Sequence, residues 1–591
     1  PQYEIRHAGN SYKEHYSTDD LCYLDGYCPK TRTAFMYYDC DYEACPICHA
    51  EEIYADQVHP TRQVKWMTIH QLVQRRLNGL KKNNVYSNVI VHWSHDNDKL
   101  VIPEEDPRRW DLMGLRDIFY GGRTEVFAAY ATPPEDMKIE YADVCSLYPY
   151  VCSHKDLPIG YPEVIFDPSK MDFNRFYSNH PDPYFGFVRA RILPNDQDLI
   201  GVLPQRIDGK LKYTLHEKEG CWSIEFLKLA LDRGYKILKV YEIWHWGPNQ
   251  RSNTAMRGYM QFFLRMKQAA EGWVKMGQDL YTADQLKDEN RTPEMEDKIM
   301  DYIEGQNGGM ARPLRDMIAV NPVLRQLAKI FLNCLWGKLC QKPPSEEEFF
   351  LYGYKQYMGF MTNPAIDRSS LKFRHVNGGV YKVRYKKIAA VYRAEGAFIN
   401  VPMAATVTAH AQVLLMRQMF VVGPERVLYC DTDSIIYLKE KNGTQYCSSG
   451  LGNWADEYPG KVIRKFLALA PKCYVLDIEE DAMLFKAKGV RLTTENRERT
   501  SLENLQALVQ GAFIPGTGTE AISADTMLIN SNSTNAALKY GTVCTTYGKK
   551  NLRVVYSKRV LNVNTQIQVE SLDQMDLVRL LPEGYKGVLG H

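Results

Sequence analysis

Tyr429-Cys430-Asp431-Thr432-Asp433-Ser434 is the stretch on which the reading of this chain turns. Val427 and Leu428 precede it, and Ile435, Ile436, Tyr437 and Leu438 follow. Two apolar, β-prone runs meeting at Asp-Thr-Asp read as a tight hairpin with a polar tip. Carboxylates so close raise each other's pKa, because each ionised form repels the other. A divalent metal removes that cost, and hard Mg2+ takes carboxylate oxygens as ligands. Taken alone, Asp-x-Asp reads more readily as a surface turn closed by an Asx-type bond. The rest of the chain decides otherwise.

Far upstream, Lys138-Ile139-Glu140-Tyr141-Ala142-Asp143-Val144-Cys145-Ser146-Leu147-Tyr148-Pro149 reads as a strand ending at Asp143 and turning into a helix. Backbone N–H groups at a helix start make a phosphate site, and Tyr148 is placed to pack against a sugar. Between the two stretches, residues 323–340 read as a helix with Leu324, Leu327, Phe331 and Leu335 on its apolar face. Arg325, Lys329 and Asn333 recur every four residues on the other face, continued by Trp336 and Gly337. A row of cations is ordinarily a solvated surface. Here Lys329 is also placed to grip a nucleotide triphosphate.

Asp-x-x-Ser-Leu-Tyr-Pro at 143–149, Lys-x3-Asn at 329–333 and Tyr-x-Asp-Thr-Asp-Ser at 429–434 resemble, in order, the three polymerase motifs of family B DNA polymerases. The resemblance implies that Asp143 and Asp433 bind two Mg2+ (or Mn2+) ions, with Val144 beside them and Asp431 in support. It implies nucleotide contacts from Ser146, Leu147, Tyr148, Arg325, Lys329 and Asn333, with Tyr148 the steric gate against ribonucleotides. Lys472-Cys473-Tyr474 is similar to the family's Lys-x-Tyr, which steadies the primer terminus. DNA and primer contacts are expected from Tyr120, Gly121, Gly122, Thr432, Trp336, Gly337, Lys472, Tyr474, Lys486 and Lys488. Adjacent Gly121 and Gly122 let backbone approach a phosphate chain, and Arg123 can hold one. The family motif usually continues Lys-x3-Asn-Ser-x-Tyr-Gly; here Cys334 and Trp336 stand instead, and Trp is common in the transposon-type subgroup. The motif separations leave room for the two insertions of the protein-primed branch. Along residues 20–150 and 310–590 the chain resembles that branch, which implies a terminal protein as first primer, with DNA template and dNTPs as further partners.

Near the start, Cys40, Cys45 and Cys48 have a spacing that fits zinc thiolates and buried core cysteines equally. Residues 1–98 resemble the nuclease-like domain of Polinton/Maverick-type polymerases, itself similar to very-short-patch-repair endonucleases. The three cysteines match that pattern, and His95, after Trp93-Ser94, falls where the fourth zinc ligand stands. Asp25 also matches, but Tyr38 and Glu43 replace both family histidines. Without them the acid/base chemistry is missing, so a zinc-stabilised, inactive relic is expected.

The 591 residues carry a formal net charge of +2, so nucleic acid must be held by local basic patches. Hydrophobic content of 45% and charged content of 24% are those of a soluble globular protein. No apolar run approaches a membrane span, and intracellular residence with no membrane contact is expected. The fold expected is α+β: a right-hand polymerase with palm, fingers, thumb and an antiparallel palm sheet, preceded by a small α/β nuclease-like zinc domain. The layout expected is the zinc domain over 1–98, palm over 99–170, an insertion and connection over 171–310, and fingers over 311–342. A β-rich insertion follows over 343–395, then palm again over 396–491 and thumb over 492–591. Two rivals remain. An RNA-directed polymerase also pairs carboxylates, though usually as adjacent aspartates, and a decayed polymerase could persist as a nucleic-acid-binding scaffold.

Overall fold

The computed structural model describes residues 15–17, 22–60, 62–82, 85–99, 113–177, 179–341, 346–352, 354–363, 366–377, 380–387, 399–448, 450–479, 483–491, 493–513, 522–529, 545–561 and 576–587. Two compact units emerge, one of 1–109 with 342–397 and one of 110–341 with 398–591. Much of the expected thumb, and residues 388–395 of the expected β-rich insertion, lie outside the described residues.

In the first unit, strand Thr33–Tyr38 pairs antiparallel with Gly26–Cys28 and parallel with Asn88–Trp93. A parallel pair needs a crossover, and helix Trp66–Lys82 supplies it, burying Trp66, Ile69, Val73, Leu77 and Leu80. Val64 precedes the helix and is exposed. Strand Asn88–Trp93 is only partly buried. Strands Glu347–Tyr352, Val380–Lys387 and Ile366–Asn377 make a second antiparallel sheet in this unit. Within the insertion expected to be β-rich, Tyr354–Met361 is a helix. Its aromatics recur at helical as well as strand spacing, and Tyr357 and Phe360 lie over Phe373, Phe349 and Tyr385.

The second unit is built on an antiparallel sheet of eleven strands among the described residues. Its strands include β1 (Thr124–Val126), β2 (Ala128–Ala131), β3 (Met137–Val144), β4 (Val427–Asp431), β5 (Ser434–Glu440) and β6 (Ile463–Ala470). Further along lie β7 (Cys473–Ile478), β8 (Leu484–Ala487) and β9 (Leu577–Leu581). The order across the sheet is β9-β2-β6-β3-β5-β4-β1, with β7 and β8 continuing outward from β6. β4 and β5 are buried almost throughout because both faces are covered. Four helices matter for the site: α1 (Leu147–His154), α2 (Arg257–Ala269), α3 (Pro322–Leu339) and α4 (Val401–Val422). Rich in Ala, Val, Leu and Met, α4 is apolar nearly all round and lies in the core, where Ala409, Val413 and Met416 join Ile435 and Tyr437. No described helix is long and apolar enough to cross a membrane.

Arg123 does not reach toward a phosphate. It is fully buried, donating to Glu125 and to the Gly201 carbonyl at 2.7 Å, with its guanidinium 3.7 Å from the Tyr213 ring centroid. Arg559 holds the other Glu125 oxygen at 2.7 Å, so one buried carboxylate bridges two buried guanidiniums. Two adjacent cations would strand each other without it. Glu125→Ala is therefore expected to cost about 3–5 kcal/mol, read as a lowered urea midpoint of the purified variant.

Candidate active site

Strand pairing brings the distant carboxylates together. Asp143, at the end of β3, sits beside Ser434 in register, and the Val144 N–H donates to the Asp433 carbonyl at 2.8 Å. Asp431 and Ser434 close the β4–β5 hairpin. Thr432 takes a φ of 64° at its tip, where a β-branched residue is strained. Two contacts hold it there. Its N–H donates to the Arg123 carbonyl at 2.7 Å, and Gly122 leaves room for its side chain, which would lie 2.8 Å from any added Cβ. The Gly-Gly pair thus seats the hairpin, while the Gly121 carbonyl accepts from Gln412.

The three carboxylates differ in their surroundings. Asp431 is well supplied with donors: one oxygen accepts from Lys472 Nζ at 2.5 Å, Thr124 Oγ1 at 2.8 Å and Thr432 Oγ1 at 3.2 Å. At Asp143 burial and like charge dominate. Burial, then the charges of Asp433 and Glu457, push it up to about 7, against the pull of Lys329 and Lys486. Burial and Asp431 push Asp433 up to about 6, against Lys472 and Lys329. Glu457 was not expected from the sequence; it follows strand Trp454–Asp456, which pairs with β3 beside Asp143. Below the carboxylates opens a cleft of about 630 Å3 lined by Tyr141, Tyr474, Lys472, Lys486 and Lys488.

Lys486 lies on β8 and Lys488 one residue past its end. The Lys486 ammonium stands 5.0 Å from the Tyr141 ring centroid, and the Tyr141 and Tyr474 hydroxyls meet at 3.0 Å. Lys472 is paired with Asp431 rather than extended toward a primer. Tyr120, expected at DNA, lies in the core.

The cationic side comes from α2 and α3. Lys329 is exposed on α3, and Arg325 is paired with Glu271 at 2.8 Å. Lys267 of α2 reaches Ser146 Oγ at 3.4 Å; burial and the charges of Arg325 and Lys329 lower its pKa against the pull of Glu271. Sequence reasoning assigned Lys267 no role. The signal was available: Lys267 continues the buried stripe of Met260 and Leu264 at helical spacing, where a lysine is out of place without a task. Ser146 itself is left-handed, with φ 55°, at the entry to α1.

The apolar face expected for α3 is corrected. Ala328 and Leu332 are its buried residues, with Leu335, Trp336 and Leu339 packed beside them, whereas Leu327 and Phe331 are exposed. With apolar residues on several sides of α3, only packing selects the buried stripe. Trp336, read on the polar face, stacks on Tyr148 with centroids 4.7 Å apart and planes 11° from parallel. Asn333 is exposed, and Gly337 is partly buried.

In the first unit, the ligand atoms of Cys40, Cys45, Cys48 and His95 all lie within 4.8 Å of one another. His95 Nδ1 is 3.1, 3.5 and 3.5 Å from the three Sγ atoms. Tetrahedral zinc requires ligand separations of about 3.5–3.8 Å, so the cluster could bind zinc. An Asp96 oxygen 3.4 Å from His95 Nε2 is the usual outer support for a metal-bound imidazole. Asp25 accepts the Tyr37 N–H at 2.6 Å.

An antiparallel sheet thus carries paired carboxylates and is faced by a lysine-bearing helix. Residues 91–276 match the family described as DNA polymerase type B, organellar and viral. The match includes Asp143 and Tyr148. Among solved structures, the chain is similar to phi29 DNA polymerase in an orthorhombic crystal form, with 17% identity over 66% of this chain and 57% of that one, at a TM-score of 0.40. It is similar also to phi29 DNA polymerase complexed with primer-template DNA and incoming nucleotides, with 16% identity over 74% of this chain and 62% of that one, at a TM-score of 0.43. The chain thus covers less than two thirds of either phi29 chain. No curated protein matches it.

Because the folded-state pKa of Asp143 is raised, the folded protein holds a proton that the unfolded chain releases. Its contribution is favourable below the ordinary carboxylate range and is lost as pH rises toward about 7. Without divalent ions, Asp143→Asn is expected to raise stability over wild type by about 1–3 kcal/mol at pH 8 and to leave it unchanged at pH 4. Paired urea denaturations in chelator check this.

Proposed function

We propose that this chain is a template-directed DNA polymerase that adds deoxynucleotides with two divalent metal ions and starts from a hydroxyl on a terminal protein. The observation that carries the reading is the convergence of Asp143, on β3, with Asp433, in the β4–β5 turn: burial and the charge of Asp433 push Asp143 up, burial and the charge of Asp431 push Asp433 up, and Lys329 acts on both. Carboxylates that disfavour each other's ionisation are a fitting donor set for hard cations. Asp143 and Asp433 would hold the ions, beside the Val144 backbone. Bound there, two Mg2+ or Mn2+ ions would lower the pKa of the primer 3′-hydroxyl and neutralise the departing pyrophosphate.

The chain's own groups do the rest by position and charge. Lys329, Arg325 and Lys267 hold the triphosphate, and Ser146 and Leu147 present backbone N–H groups at the start of α1. Tyr148, with Trp336 stacked on it, lies against the sugar and excludes a 2′-hydroxyl. Lys486 and Lys488 take duplex phosphates, while Lys472 and Thr432 keep Asp431 in place. Asn333 and Gly337 flank the templating base. Terminal-protein priming is supported by the resemblance to the protein-primed branch, and the first unit acts as a zinc-stabilised module.

Asp433→Ala is expected to lower primer extension at least about 1,000-fold in a gel assay with Mg2+, DNA primer-template and dNTPs. Extension equal to wild type would leave only a nucleic-acid-binding scaffold, and ribonucleotide incorporation on RNA as efficient as dNTP on DNA would indicate an RNA-directed enzyme. Incubation with candidate terminal protein, Mg2+ and labelled dNTP is expected to yield a covalent protein–nucleotide product; its absence alongside normal extension would remove protein priming alone. Purified protein is expected to carry one zinc by elemental analysis, and Cys45→Ser to lose it.

A further inference from the structure

β1 ends the palm sheet: β4 pairs with one side of it, and no strand pairs with the other among the described residues. An unpaired sheet edge needs partners for its backbone groups. The C-terminal segment supplies them as side chains. Lys558 Nζ donates to the Thr124 carbonyl at 2.7 Å, and its neighbour Arg559 holds Glu125, the next residue of β1. Arg559 is itself anchored on the carbonyls of Leu580 at 3.0 Å and Leu199 at 2.8 Å. Thr124, pinned through its carbonyl, is the residue in register with Asp431, and its hydroxyl donates to the Asp431 carboxylate at 2.8 Å. A continuous chain of contacts thus runs from residue 558 to the acidic hairpin.

We propose, on the polymerase reading above, that Lys558 and Thr124 are positioning residues of the active site: the Lys558 ammonium fixes the Thr124 carbonyl, the Thr124 hydroxyl fixes Asp431, and the C-terminal segment thereby sets where Asp433 stands. Neither residue touches the open part of the cleft. Neither is asked to bind substrate. Asp431 is two residues from Asp433 and its carbonyl accepts the Asp433 N–H at 2.7 Å, so a swing of the Asp431 side chain is transmitted through a strained turn. Misplacement of a reacting group by an ångström costs on the order of 100-fold in rate, and a turn loosened at one of several contacts should cost less.

The test uses the full chain with Thr124→Val, which keeps the shape and removes the hydroxyl, Lys558→Met, Lys558→Arg, and the Thr124→Val/Lys558→Met double variant. Single-nucleotide addition on primed DNA is expected to show kcat lowered about tenfold in each of Thr124→Val and Lys558→Met, with KM for dNTP within about twofold of wild type. The double variant should be no more than about twofold slower than the slower single variant, because both act along one path. Lys558→Arg should recover to within about threefold of wild type. Mn2+ titration followed by electron paramagnetic resonance gives a readout apart from turnover: Asp433→Ala should abolish the tight site, and Thr124→Val and Lys558→Met should weaken it about threefold. Unchanged kcat and Mn2+ affinity in a folded Lys558→Met variant, or losses that multiply in the double variant, would overturn the proposal. Were wild type to bind Mn2+ through Asp433 yet extend no primer, the polymerase reading would fall by itself. The Mn2+ affinities of the two single variants would then decide the positioning roles.

Discussion

Repulsion between two half-buried carboxylates is the constraint around which the second unit is arranged. Asp143 and Asp433 reach the same spot from strands far apart in sequence, and burial makes each ionised form unfavourable. Proteins do not place acids this way for stability. The surroundings tolerate the cost in a structured manner. Asp431 is given three donors, whereas at the other two acids burial and like charge prevail over the pull of Lys329, Lys472 and Lys486. One carboxylate is fixed, and two remain available.

The sheet explains how such a turn survives. Thr432 sits in a left-handed conformation at the meeting of two buried strands. Its neighbours over-determine it: the Arg123 carbonyl, the space left by Gly122 and the β4–β5 ladder all specify one arrangement. Beneath, Glu125 is held between Arg123 and Arg559, which ties the first strand of the unit to its C-terminal segment. A fully paired buried network of this kind adds rigidity where a hydrophobic contact would allow sliding.

Much of this was legible in the sequence because it is local. The apolar runs around Asp431-Thr432-Asp433 and the strand ending at Asp143 carry their own periodicity, and the resemblance of the motifs they hold implied the antiparallel α+β architecture. Cys40, Cys45 and Cys48 come together with His95, the residue that the nuclease-domain resemblance put in fourth place. What stayed hidden depends on tertiary context. Gly-Gly-Arg reads the same whether its arginine meets a phosphate or a buried glutamate, and only the fold shows Arg123 turned inward. The buried stripe of α3 could not be chosen from a helix with apolar residues on several sides, so Leu327 and Phe331 were placed inside and lie outside. Lys558 and Arg559 act across more than four hundred residues of sequence on β1, a relation no local pattern encodes.

Charge balance gives the last step. Acids line one side of the site, while Lys267, Arg325 and Lys329 gather on the other, and no hydrogen bond or ion pair joins Lys329 to Asp143 or Asp433 among the described residues. Had the two sides been built to neutralise each other, contact pairs like that of Lys472 with Asp431 would be the simplest result. Instead the acids retain charge that burial makes costly, and Lys329 stands exposed opposite them. A cation alone would satisfy the acids, and a phosphate alone would satisfy the lysines. On the proposed reading, a nucleoside triphosphate carrying divalent cations would answer both at once, and the net charge of +2 leaves that demand local to the cleft rather than spread over the surface.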